Sequence, residues 1–115
     1  MRVKLGLTAD MPPGQGIVVP VDGAPPYRSI LVINTEAGVR AYWNVCAHVP
    51  VPLDGGLGSL PMAGLHVVCT THGATYRPND GFCEEGPCQG ESLIALDVEM
   101  KDGVAYANAV RPKEP

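Results

Sequence analysis

Apolar and polar positions alternate along much of this chain with a period of two. Val3, Leu5 and Leu7 follow that rule, as do Val19 and Val21, and Tyr106 sits in a Val-Ala-Tyr-Ala run. Such spacing predicts half-buried strands. Ser29 to Asn34, Leu65 to Cys69 and Leu93 to Val98 are compact and apolar instead, which predicts strands buried more deeply. Met100-Lys101-Asp102-Gly103 reads as a hairpin with Asp-Gly at its turn. Glu36-Ala37-Gly38 should do the same between Leu31-Val32-Ile33 and Arg40-Ala41-Tyr42-Trp43. No segment shows helical periodicity. Many short strands with frequent turns predict an all-β fold, an antiparallel sandwich or small barrel.

Composition narrows the function. The 115 residues suit one domain, and 12 acidic against 8 basic side chains give a formal net charge of −4. That argues against a nucleic-acid binder, whose phosphates call for a basic face. It suits brief docking on basic patches of partner proteins, although ordinary solubility explains the same number. No stretch approaches the roughly 18 apolar residues of a membrane span. Met-Arg-Val-Lys-Leu-Gly-Leu holds no continuous apolar run, so it does not read as a signal peptide, and a cytoplasmic location is expected. Four cysteines in that compartment point to metal or redox work before a disulfide framework.

One segment departs from this economy. Val49 to Gly64 carries Pro50, Pro52 and Pro61 with Gly55, Gly56, Gly58 and Gly64, a long loop for so compact a domain. Cys46-Ala47-His48 stands just before it and Cys69-Thr70-Thr71-His72 just after it. Each pair ends a strand-like run and opens a turn. Two such turns facing each other would gather two thiolates and two imidazoles around one site.

These residues resemble the Rieske iron–sulfur proteins, whose pattern is C-x-H, a loop, then C-x-x-H. Further matches support the resemblance. Pro52-Leu53 looks like the family's apolar step after the first pair, Gly73 follows His72, and Tyr76 stands where the family has Tyr or Phe. Gly86-Pro87 looks like the proline loop that covers the cluster. The match spans roughly residues 28 to 108. It implies a Rieske-like antiparallel sandwich or small barrel with an inserted cluster-binding lobe, expected over residues 46–76, on a base formed by 1–45 and 77–115. It also implies one [2Fe–2S] cluster, with Cys46 and Cys69 on a buried iron and His48 and His72 on an outer one. Tyr76 would donate to the Cys46 sulfur, and Pro87 would lie over the cluster. Ala74 stands where high-potential members have Ser. The interval from His48 to Cys69 is somewhat long for the family, with the excess expected within 54–64. Neither loop carries the extra cysteine that ties the two loops together in respiratory members, so the ferredoxin and oxygenase branch is the better match.

The residue types suit that chemistry. Two neutral imidazoles in place of two thiolates remove negative charge and make an added electron more welcome. A change from roughly −400 to roughly −150 mV is about 6 kcal/mol for one electron. The expected function is one-electron transfer between a reductase and a terminal oxygenase or reductase, with no nucleic acid or membrane as partner. No second metal site or nucleotide fingerprint suggests an enzyme acting alone. Alternatives remain. Cys₂His₂ also suits a structural zinc module, although a single spacer at 46–48 is unusual for zinc. A redox-sensing or small subunit of a larger oxidoreductase would keep the cluster. Cys83 and Cys88 are either reduced thiols or a disulfide. His66 is expected to be satisfied on one face of its strand, and Trp43 and Tyr42 are expected in the core.

Overall fold

The computed structural model describes residues 2–11, 13–14, 16–22, 27–47, 51–53, 62–63 (backbone only), 66–69, 73–86 and 90–109. In chain order the strands are β1 (Arg2–Leu7), β2 (Gly16–Pro20), β3 (Ser29–Thr35), β4 (Gly38–Trp43), β5 (Met62–Ala63), β6 (His66–Val68), β7 (Thr75–Tyr76), β8 (Cys83–Glu85), β9 (Ala95–Lys101) and β10 (Val104–Asn108). They form two antiparallel sheets. The larger runs β1-β10-β9-β4-β3-β2, and the smaller runs β5-β6-β7-β8. Strands β4 and β9 are neighbours, with Ala41 opposite Leu96, so the smaller sheet comes from the chain between them, a lobe inserted into a nearly closed base. Among the described residues no helix is long and apolar enough to cross a membrane.

The continuous apolar run of β3 follows from cover on both faces. Ile30 and Val32 point into a base core with Leu5, Ala41, Trp43, Leu96, Ala105 and Ala107. Leu31 and Ile33, on the opposite face, join Tyr42 of β4 in a second core shared with the lobe. A period of two with both faces dry leaves no room for a polar residue. Trp43 and Tyr42 are buried as expected, on opposite faces of β4.

Both hairpins form where the turn signals predict them. Lys101 pairs with Val104 around Asp102 and Gly103, whose φ values of 54° and 78° suit the twist of a two-residue turn. Thr35 pairs with Gly38, and its Oγ1 accepts from the Ala37 N–H and donates to the Gly38 carbonyl.

Four expectations need correction. The register of β1 shifts between Lys4 and Gly6, so Leu5 is buried while Leu7 is left 47% exposed and the simple alternation fails. Leu93 to Val98 is not one deeply buried strand. Leu93 belongs to the lobe core, Leu96 to the base core, and Ile94 between them faces outward. The loop expected over Val49–Gly64 includes strand β5, paired with β6; of its remainder only residues 51–53 are described. Finally, the smaller sheet does not stop at residue 76. The turn at 77–81, closed by Arg77 N–H to the Phe82 carbonyl, returns β8 alongside β7. β8 (Cys83–Glu85) thus pairs within the smaller sheet, although it falls in the 77–115 stretch expected in the base.

Candidate metal centre

Two turns carry the two motif cysteines, and they close in the same way. β4 ends at Trp43, and the Cys46 N–H donates to the Val51 carbonyl at 2.9 Å. β6 ends at Val68, and the Cys69 N–H donates to the Ala74 carbonyl at 2.8 Å. Each bond reaches five residues on, so in both places the chain comes back to the amide of its own cysteine. The Gly73 N–H adds a bond to the Cys69 carbonyl. Cys46 is 4% exposed and Cys69 fully buried, within the same apolar core as Leu31, Leu53, Val67 and Leu93.

A side chain from beyond the second loop touches the first. Tyr76, fully buried on β7, places its Oη 3.3 Å from the Cys46 Sγ and 3.2 Å from the Ala47 amide nitrogen. The oxygen accepts from the Ala47 N–H, and between Tyr76 Oη and Cys46 Sγ either atom could donate while the cysteine is a thiol. A thiolate has no proton to give, so a metal-bound Cys46 can only accept. Tyr76 Oη therefore lies within hydrogen-bond distance of Cys46 Sγ, together with an amide contact the sequence did not suggest.

Gly86 closes the site from another side. A Cβ built on it would lie 2.7 Å from Ala74 Cα, and its φ is +104°. The backbone of β8's exit therefore sits against the end of the second loop, an approach that only glycine allows. Cys83 lies opposite Tyr76, with its Sγ 3.3 Å from the Glu85 carbonyl. His48, His72, Pro87 and Cys88 lie outside the described residues, so their expected roles and any Cys83–Cys88 bond do too. Among the described residues no group of three or more His, Cys, Asp or Glu side chains is placed to hold a metal ion.

The flank of the lobe is charged. Arg77 binds Asp80 through two nitrogens, with Nε to Oδ1 at 3.0 Å, and its Nε lies 3.7 Å from Glu84. The guanidinium and the Phe82 N–H hold the Asp80 carboxyl below the usual carboxylate range. His66 meets Glu84 at 3.4 Å, as a strand-face histidine should.

The sequence matches the Rieske [2Fe-2S] domain over residues 1–105. The chain belongs to that family. Rieske domains hold a [2Fe–2S] cluster through two cysteines and two histidines, and this one is a one-electron carrier. The residues present fit such a group: two buried sulfurs, each following a strand end, one of them within hydrogen-bond distance of a buried hydroxyl. A structural zinc site is not favoured.

Solved structures agree on the fold. The chain is similar to one in a complex of reduced oxygenase and oxidized ferredoxin in carbazole 1,9a-dioxygenase, at 24% identity and TM-score 0.76, covering 98% of this chain and 97% of that one. It is similar to a ferredoxin of Sphingomonas yanoikuyae B1 at 21% identity and TM-score 0.72, covering 96% and 100%. It also superposes on 31% of the terminal oxygenase of carbazole 1,9a-dioxygenase from Nocardioides aromaticivorans IC177, at 22% identity, 99% coverage of this chain and TM-score 0.71. A search among curated proteins finds no match.

Sequence reasoning pointed to the cysteines from their spacing and to Tyr76 from the family resemblance, but missed Asn44 and the Gly86–Ala74 contact. Asn44 offered one faint signal, a single amide between the apolar Ala41-Tyr42-Trp43 and Val45-Cys46.

Proposed function

We infer that Cys46, His48, Cys69 and His72 ligate the cluster, and that the protein takes one electron from a reductase and delivers it to a terminal oxygenase or related reductase. It catalyses no substrate reaction alone and works in the cytoplasm. The observation that carries this reading is the pair of matching loop closures with Tyr76 Oη against Cys46 Sγ. When bound, the cluster supplies a one-electron couple. The chain's own residues do the rest. The buried cysteines exclude water from the inner side, and Tyr76 offers a hydrogen bond that strengthens as negative charge builds on the Cys46 sulfur, which favours the reduced state.

Charge distribution supports protein partners. Residues 44–94 contain Asp54, Asp80, Glu84, Glu85 and Glu91 against Arg77 alone, which gives −4, the whole net charge of the chain. The seven remaining acidic side chains are matched by seven basic ones. The single arginine of the lobe is engaged by Asp80 and Glu84. An acidic lobe on a neutral base orients the molecule toward a basic docking face. The ferredoxin to which this chain is similar forms a complex with an oxygenase.

Purified protein should be red-brown, contain two irons per chain, and when reduced give the low mean g value of mixed His/Cys ligation by electron paramagnetic resonance. A spectrum of the all-cysteine type, or an intact cluster after His72→Ala, would sink the ligand assignment. Reduction of a basic c-type cytochrome should slow as salt rises. The slowing should be weaker in a Glu85→Gln, Glu91→Gln variant.

A further inference from the structure

Asn44 is the one buried polar side chain among the described residues, at 2% exposure. A buried amide is tolerated only when its donor and acceptor are both met. Its Oδ1 accepts from the Leu53 N–H at 2.8 Å, and its Nδ2 donates to the Ser29 Oγ at 3.0 Å. Its own N–H donates to the Ser29 carbonyl at 3.0 Å. The orientation of the amide is fixed by chemistry, because the Leu53 N–H can only face the oxygen.

The first sulfur-bearing loop therefore starts and ends on one residue. Asn44 begins it, bound to β3 through Ser29, and Leu53 ends it, bound to Asn44. The Leu53 side chain is itself fully buried in the core that holds Cys46 and Cys69. Cys46 lies two residues inside this closure, and its sulfur and the next amide meet Tyr76 Oη, which belongs to the other sheet. A shift of the loop's foot relative to β3 changes the 3.3 Å contact directly.

We propose that Asn44 is a positioning residue for the redox centre: by clamping both ends of the first loop to β3, it sets the Tyr76–Cys46 hydrogen bond and through it the reduction potential. This rests on the carrier reading above but adds a claim of its own. On this proposal the influence of Asn44 on the potential passes through Tyr76, whose hydroxyl is the group within 3.3 Å of the sulfur.

The test is a double-mutant cycle read by voltammetry on cluster-loaded protein, with iron content and the paramagnetic spectrum recorded beside it. Tyr76→Phe should lower the potential. Asn44→Ala should lower it in the same direction and by no more. In the Tyr76→Phe background, Asn44→Ala should add nothing. Should Asn44→Ala fail to assemble, the same cycle run with Ser29→Ala decides the matter. That change removes the acceptor of the Asn44 Nδ2 while the Leu53 clamp stays, so a smaller shift is expected, again absent when Tyr76 is Phe. Shifts that add in full, or loaded variants whose potential equals that of the wild type, overturn the role of Asn44. A wild-type spectrum without Rieske character would overturn the carrier reading instead, so the two failures are told apart.

Discussion

The base and the lobe are built by different rules. Strands of the base run five to seven residues and pair over most of their length. Their core comes from alternation, with Ile30, Val32, Ala41 and Trp43 facing one way. Strands of the lobe are two or three residues long. That is too little pairing to fix a shape alone, so the lobe depends on loop closures at Cys46 and Cys69, the Asn44 clamp and the close approach of Gly86 to Ala74. The base spreads its stability over many equivalent contacts. The lobe places it in a few specific ones, at the site where a metal adds the rest.

The largest break in this comparison is loss of a motif cysteine. Cys69→Ala, or Cys46→Ala, should abolish cluster binding, because metal binding and ordering of such a site are coupled. The lobe should loosen while the base stays folded. Hydrogen exchange should become fast in β6 and β7 and remain slow in β3, β4 and β10. Uniformly fast exchange would show that the two regions form a single cooperative unit.

Ile30→Ala is the reciprocal change. The residue is fully buried in the base core, so its truncation should cost about 2–5 kcal/mol in unfolding experiments. The loaded protein should keep its potential and paramagnetic spectrum, since Ile30 faces away from the lobe. A shifted potential would mean that strain in the base reaches the sulfurs.

How much of each region was legible in the sequence follows from the same difference. β3 was readable because a strand covered on both faces shows itself as an unbroken apolar run. Leu93 to Val98 has a similar run, yet Leu93 serves the lobe core and Leu96 the base. Periodicity reports that a residue is buried, never which layer covers it. In the lobe the chemistry itself was legible, since metal ligation demands particular residue types at short spacing. Its supports were not. Asn44 acts on Ser29 and Leu53, 15 and nine positions away, and as a lone amide after a strand it looks like any turn residue.

Gly86→Ala tests one of those hidden supports. The added methyl would have to displace the Ala74 backbone, and φ +104° is unfavourable for any side chain. A cost of about 1–3 kcal/mol is expected. It should appear first as easier cluster loss on mild heating, followed by absorbance, with the base unfolding later. Unchanged cluster retention would show that the second loop tolerates a displaced neighbour.

Tyr42→Phe probes the seam between the two regions and should have the smallest effect. Tyr42 stands on β4, 1% exposed, and its Oη donates to the Pro78 carbonyl in the lobe turn at 2.7 Å. Losing one such bond costs about 0.5–1.5 kcal/mol, and water can reach the half-buried Pro78, so the lower end is expected. Burial pushes the Tyr42 phenol up from 10 to about 12, with nearby Arg40 opposing and Asp80 adding to the rise. A phenol whose pKa is higher folded than unfolded holds its proton better in the folded state. Its contribution is therefore complete below pH 10 and is lost as pH climbs from 10 toward about 12. The wild type should be more stable than Tyr42→Phe at neutral pH, and the gap should close in that alkaline window. Urea unfolding at the two ends of the window measures it. A gap that stays constant or widens would mean that the phenol's proton plays no part in holding the lobe to the base.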